Sequence, residues 1–292
     1  MELSCFSYTE RDLGRMPKRL AESHKGTFGK VSCVCGSEGM CGAAYFAAKA
    51  CYRTGAGLVR ILTVQENLSV LQTLIPEAIV TVYDFSQPTI IQDAVEWADV
   101  LVVGCGLGVS AESRGLLSDV LRLRGEKPTV LDADALNLLS RNPSLLKYAK
   151  GAILTPHIGE MSRLTSISCE EILENTAKTA YDFAQKHGVV CVLKSHHTVV
   201  SDGSELVYRN TSGNSGMATG GSGDVLAGIV GGILAQSRHG ELTPMDAACL
   251  GVYLHGLCGD AAAENLSEYS VMAGDLLDAI SITLQRYLPT GT

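Results

Sequence analysis

The sequence predicts a three-layer α/β/α sandwich around a mainly parallel central sheet. Three observations lead there. Short apolar runs rich in β-branched residues recur along the chain, and several, such as VLVVG at Val100–Gly104, are apolar throughout. Strands buried on both faces show no polar alternation, which is the habit of parallel sheets between helix layers. These runs alternate with longer helical stretches, the pattern of an α/β sandwich. Glycine makes up 31 of 292 residues, above a usual ~7%, and in open α/β sheets ligands bind at the loops beyond the strand carboxyl ends.

The elements follow in order. The first 25 or so residues are polar and irregular and read as an N-terminal arm, residues 1–25. Strands are predicted at Val31–Gly36, Leu58–Val64, Ala78–Tyr83, Val100–Gly104, Thr129–Leu131, Ala152–Leu154, Val189–Leu193, Thr198–Ser201 and Leu206–Tyr208. Helices are predicted at Gly42–Arg53, Ala111–Leu123, Cys169–Lys186, Asp224–Gln236, Pro244–Asn265 and Val271–Gln285. His197–Asn210 reads strand, turn at SDGS, strand, hence a hairpin at or near a sheet edge. No linker, repeat or low-complexity block divides the chain, so residues 1–292 are read as one domain.

Composition excludes several classes. Lys plus Arg is 23 and Asp plus Glu is 31, a formal charge of −8, whereas nucleic-acid binding favours a basic face. With 46% hydrophobic residues the chain is no disordered segment. Its longest apolar stretches, Val225–Ala235 and Val100–Ala111, fall short of the ~20 residues of a membrane helix. The start, MELSCFSYTERDLGRM, carries charge before any apolar run and reads as no secretory signal. The ten cysteines include no C-x-x-C pair, and most sit in apolar segments. They read as reduced thiols of a cytoplasmic protein.

The densest local signal is Asn210–Gly228, NTSGNSGMATGGSGDVLAG. Gly213, Gly216, Gly220, Gly221 and Gly223 precede an abrupt switch into an apolar helix. Glycine lets backbone approach a ligand and take positive φ. The following helix offers unpaired N–H groups and the positive end of its dipole, so loop and helix together suit a phosphate. Asp224 falls in the first turn of that helix. Two readings stand: a first-turn acid that favours the dipole, or a general base taking a proton from an attacking hydroxyl beside a phosphoryl group.

GGSGDVLAG resembles the glycine–Asp signature of the ribokinase-like fold, and the surrounding pattern is narrower. NSGMATGGSGDVLAGIVGGILAQ, TPHIGEMSRL, VLDADALNLL, HKGTFGKV and GAAYFAAKACYRTGAGLV all occur in this chain. Together they resemble the NAD(P)H-hydrate dehydratase family over about residues 24–285. The resemblance implies dehydration of the S epimer of hydrated NADH or NADPH, with ADP, or alternatively ATP, as phosphoryl donor and Mg²⁺ on the nucleotide. AMP and phosphate would be released when ADP is used. The hydroxyl is phosphorylated because hydroxide leaves poorly and phosphate leaves well. A small-molecule hydroxyl kinase of the same fold is the alternative; a nucleotide-binding protein without catalysis is a third, against which the intact Asp224 and Gly223 stand. The resemblance also implies a homo-oligomer such as a tetramer, for which the long apolar helices Asp224–Gln236 and Pro244–Ala263 offer a face. Epimerisation of the substrate is expected of a separate protein, since the 292 residues leave no room for a second catalytic domain. Neither nucleic acid nor membrane is an expected partner.

Residue by residue, Asp224 matches the family's acid, and Gly221, Ser222 and Gly223 would donate backbone N–H groups to the transferring phosphoryl. Lys194, Ser195, His196, His197 and Thr198, KSHHT, match a segment along the adenine nucleotide, with Gly223 as a further contact; Ser195 stands where the family more often has glycine. His157, in TPHIGE, matches a histidine that contacts the hydrate, and Ile158 replaces a frequent proline. GCGLG at Gly104–Gly108 follows a strand, with Cys105 in place of the family's proline. Gly106 and Gly108 would border the hydrate pocket, and Ala43 would either contact substrate or pack helix on sheet. Asp132 and Asp134 are read as helix caps or as contacts to substrate or Mg²⁺-bound water, and Glu160 as a first-turn acid or a metal-linked one. No dedicated metal motif is expected: His196 and His197, placed on a strand, would point to opposite faces. His255 and Cys258 are read as packing residues.

Overall fold

The computed structural model describes residues 3–19, 21–237 and 242–288. Residues 1, 2 and 20 of the predicted arm lie outside the described residues, as do 238–241 and 289–292. One sheet holds ten strands: β1 Ser4–Phe6, β2 Lys30–Val34, β3 Leu58–Thr63, β4 Ile79–Val82, β5 Val100–Val103, β6 Thr129–Leu131, β7 Ile153–Leu154, β8 Val190–Leu193, β9 Val199–Ser201 and β10 Leu206–Arg209. The spatial order is β1-β10-β9-β8-β7-β6-β5-β2-β3-β4. Only β9 runs against the rest, because it pairs antiparallel with both β8 and β10 while every other pair is parallel. The predicted hairpin is therefore present, and β1 closes the edge beyond it.

The fully apolar strands have the predicted cause. Alternate residues of one strand enter two cores: Val100 and Val102 face one, Leu101 and Val103 the other. The first core is roofed by α1 Cys41–Thr54, α9 Ser222–Gln236, α10 Pro244–Leu266 and α11 Ala273–Tyr287, with α2 Leu68–Leu74 beside them. The second is roofed by α3 Pro88–Trp97, α4 Ala111–Leu123, α5 Asp134–Arg141, α6 Ile158–Thr165, α7 Cys169–Glu174 and α8 Thr176–His187. This is the three-layer sandwich.

Four expectations are corrected. The arm is not irregular: β1 pairs with β10, a 3-10 turn spans Glu10–Arg15, and Tyr8, Leu13 and Met16 are buried in the first core. The single helix predicted over Cys169–Lys186 is two, because Asn175 leaves helical geometry at φ −136. Helices α2 and α3 went unpredicted; both are short, and α3 begins at Pro88, whose fixed φ suits a first helical position. The apolar α9, offered as a subunit face, is instead packed between α1, α10 and the sheet of its own chain.

The described helices include none long and apolar enough to cross a membrane. The ten cysteines are free thiols, seven of them in the buried cores.

Candidate active site

Strands β3 and β4 lie on one side of β2, while β5 to β8 extend from the other. The strand order thus reverses between β2 and β5, and a doubly wound sheet opens its ligand crevice there, at the carboxyl ends. Two loops meet at this point. The Gly36 amide donates to the Cys105 carbonyl at 2.9 Å, and the Ser37 hydroxyl donates to the Gly106 carbonyl at 2.9 Å. Gly106 has φ +61, and a Cβ built on it would stand 2.8 Å from the Ala43 Cβ. Ala43 and Gly106 are therefore matched small residues that let α1 approach this loop.

The next loop carries the acids. Ala133 takes φ 50 and ψ −115, a conformation that costs a non-glycine residue of order 1–3 kcal/mol. It turns the chain so that Asp132 and Asp134 both serve the crevice. Asp134 accepts from the Gly108 amide at 2.8 Å and from Asn137 Nδ2 at 3.1 Å. Asn137 in turn accepts from Arg163 Nε at 3.1 Å. Asp134 is thus tied to the glycine loop as well as starting α5. Asp132 is buried and accepts from Lys194 Nζ at 2.8 Å.

Lys194, at the end of β8, pairs in a parallel bridge with His157 beyond β7. Its ammonium also stands 4.0 Å from the buried Glu160 carboxylate. Burial works against the lysine charge, and the Asp132 and Glu160 carboxylates outweigh it, so its pKa lies above the ordinary lysine value. His157 caps α6: its Nδ1 accepts from the Gly159 and Glu160 amides at 3.0 and 3.3 Å, and Glu160 accepts from the His157 amide at 2.8 Å. That capping box commits Nδ1, while Nε2 lies 3.5 Å from Glu160 Oε1, on a side chain 53% exposed. Burial, then Lys194, pushes the imidazole pKa below its ordinary value.

The glycine loop approaches this group from above. Gly221, the N-cap of α9, has φ 90, and a Cβ there would stand 2.8 Å from Phe46 and Ala273. A Cβ on Gly223 would stand 3.3 Å from Lys194 Nζ and 3.6 Å from Asp132 Oδ2. The loop, the lysine and the aspartate therefore share one pocket. Asp224 completes it: an Asp224 oxygen, an Asp132 oxygen and Cys105 Sγ all lie within 4.8 Å of one another. Burial, then the Asp132 charge, raises Asp224 from an ordinary 3.8 to about 7. Burial raises Glu160 likewise, to about 7.

Asp224, Gly223, Lys194 and Asp132 thus converge, with His157 and Glu160 one strand away. Ser195, His196, His197 and Thr198 behave differently. They form a turn rather than a strand, closed by Ser195 Oγ donating to the His197 carbonyl at 3.0 Å and Thr198 Oγ1 donating to the Ser195 carbonyl at 3.3 Å. The two histidine rings do not oppose one another; their centroids are 4.3 Å apart and both side chains are exposed. Two contacts were not predicted. His255, read as packing, is buried but lies 3.4 Å from Ser222 Oγ; burial lowers it to about 4, so it is neutral. Cys105 was read only as a missing proline. No sequence spacing links either residue to the loop it touches.

The model of the Carb_kinase family, described as NAD(P)H-hydrate dehydratase, matches residues 31–282. The chain belongs to the NAD(P)H-hydrate dehydratase family. It is 38% identical over 266 residues to an ADP-dependent (S)-NAD(P)H-hydrate dehydratase of Neisseria meningitidis, covering 89% of this chain and 86% of that one. It is 40% identical over 267 residues to a bifunctional NAD(P)H-hydrate repair enzyme of Coxiella burnetii, covering 91% of this chain and 52% of that one. The chain thus spans about half the length of the first curated relatives it matches. Among solved structures, a ribokinase-like superfamily protein of Enterococcus faecalis superposes with TM-score 0.86 at 33% identity, over 97% of this chain and 96% of that one. An ADP/ATP-dependent NAD(P)H-hydrate dehydratase of Bacillus subtilis, co-crystallised with ATP and Mg²⁺, gives 0.82 at 27%, over 98% of this chain and 99% of that one.

Proposed function

We propose that the chain, acting as a single dehydratase unit, removes water from the S epimer of hydrated NADH or NADPH at the expense of ADP. The observation that carries this reading is the convergence of Asp224, raised to about 7, with the glycine loop and Lys194 in one pocket. A base with that pKa is half ionised near neutrality, where proton abstraction is most effective. Asp224 takes the proton of the hydrate hydroxyl. The oxygen attacks the terminal phosphoryl group of ADP, and AMP leaves. Phosphate then departs with the electrons of the carbon–oxygen bond, and loss of a ring proton restores the double bond.

The N–H groups at Gly221 and Gly223 start α9 and supply donors for the transferring phosphoryl charge, while the Ser222 N–H donates to the Thr219 carbonyl at 3.4 Å and would have to leave it to join them. Lys194 adds a fixed cation. The turn from Ser195 to Thr198 borders the path of the nucleotide, and the Gly106–Gly108 loop with Ala43 and His157 Nε2 borders that of the hydrate. The residues present do not suit a Mg²⁺ site of their own. The one described cluster of candidate ligands includes a thiol, and its Asp132 is already held by Lys194, whereas Mg²⁺ demands oxygen donors in an octahedron. The ion would arrive on the nucleotide phosphates. We further read the protein as a cytoplasmic homo-oligomer that relies on a separate epimerase.

The test is to mix protein with hydrated NADH, Mg²⁺ and either ADP or ATP and follow the absorbance of reduced nicotinamide. Recovery with ADP, and less with ATP, is expected. No recovery with either would end this reading.

A further inference from the structure

We propose that Cys105 is a positioning residue whose thiol donates to the Asp224 carboxylate and holds it in its proton-accepting form. This rests on the reading of Asp224 as the base. Cys105 is fully buried in the loop after β5, and its carbonyl is fixed by the Gly36 amide. Its Sγ, an Asp224 oxygen and an Asp132 oxygen lie within 4.8 Å of one another. A second thiol decides where the Cys105 proton goes. Cys35 Sγ donates to the Val102 carbonyl at 3.6 Å, so the Cys35 proton is already committed. The Cys105 proton then has two acceptors, the Cys35 sulfur and the Asp224 carboxylate. Sulfur is a weak acceptor, and a hydrogen bond to an ionised carboxylate is about twice as strong as a neutral one. When Asp224 ionises, the thiol turns to it.

The other groups facing Asp224 set the balance. Asp132 and Asp134, from the loop after β6, oppose its ionisation; Lys194, from the end of β8, favours it, as does the neighbouring Cys105 thiol. Lys194 is shared with Asp132 and Glu160. The thiol is the favouring neighbour drawn from the base's own crevice wall. It is a donor at every working pH, since the Cys35 sulfur and burial hold it well above its ordinary value.

The test is the pH dependence of kcat/KM for hydrated NADH at saturating ADP, in wild type, Cys105→Ala, Cys105→Ser and Asp224→Asn. Cys105→Ala removes the donor, so the acid limb should move up by roughly half to one pH unit, a three- to tenfold loss on that limb with the high-pH plateau kept. Cys105→Ser keeps a donor, and its limb should stay at or below that of wild type. A limb unmoved in Cys105→Ala, or moved alike in both variants, overturns the proposal. If Cys105→Ala does not fold, the serine variant decides: an upward limb there overturns it. Asp224→Asn separates the two claims. A full rate in that variant sinks the base and the thiol's role together, whereas an inactive Asp224→Asn beside an unmoved Cys105→Ala limb sinks the thiol's role alone.

Discussion

Replacing Asp224 by asparagine should make the protein more stable while removing its activity. The carboxylate stands at about 7 rather than 3.8, chiefly because burial penalises its charge. A group whose folded pKa is raised costs nothing below its unfolded pKa and imposes its full penalty above its folded one. Here the penalty grows between about pH 4 and pH 7. About three pKa units at 1.36 kcal/mol each is roughly 4 kcal/mol at most, and about 2–4 kcal/mol allowing for water reaching a partly exposed side chain. Asparagine keeps the shape and loses the charge. At about 2 °C per kcal/mol for a chain of this size, Asp224→Asn should melt roughly 4–8 °C above wild type at pH 8. At pH 4 the two should nearly coincide. Glu160, raised for the same reason, is present in both proteins and cancels in the difference. Melting curves by circular dichroism at both pH values check this. A variant less stable at pH 8, or a difference independent of pH, would refute the reasoning.

Other outcomes follow from the same geometry. Asp224→Asn should lower kcat by about 10²–10⁴, the usual worth of a positioned base, with KM for ADP little changed. Lys194→Met leaves Asp132 buried without its ammonium and should raise the KM for ADP at least tenfold while moving the acid limb of kcat upward. His157→Ala removes the α6 cap and the Nε2 beside Glu160; it should cost about 1 kcal/mol in denaturant melts and raise the KM for the hydrate more than that for the nucleotide. Gly221→Ala forces a side chain into φ 90 against Phe46 and Ala273 and should lower both Tm and kcat, measured by melting and by steady-state rates.

Much of the fold was legible because strands buried on two faces carry a distinctive signal. VLVVG at Val100 needed no partner to be recognised, and Leu101 and Val102 indeed enter opposite cores. Short helices carried less: α2 spans only Leu68–Leu74 and exposes Val70 and Leu74. The arm misled because Tyr8, Leu13 and Met16 are scattered among charges, and their burial depends on helices more than two hundred residues away in the chain. In the site, glycines were the readable part: Gly221 and Gly106 take positive φ and abut Phe46, Ala273 and Ala43. Asp224 was legible as a first-turn acid, but its raised pKa depends on Asp132 and burial, which only the fold brings. Cys105 and His255 were illegible for the same reason, since each touches the phosphoryl loop from a different element. The histidine pair was misplaced because the strand ends at Leu193 and the chain turns at once.

The central claim is that Asp224 and the glycine loop move a phosphoryl group from ADP to the hydrate and that phosphate then leaves. The most direct measurement is the product balance of one reaction: hydrated NADH with ADP, followed by absorbance and by chromatography of nucleotides and phosphate. One NADH, one AMP and one phosphate per turnover are expected, all lost together in Asp224→Asn. AMP accumulating with a stable phosphorylated product and no recovered NADH would contradict it, and would mark the chain as a kinase.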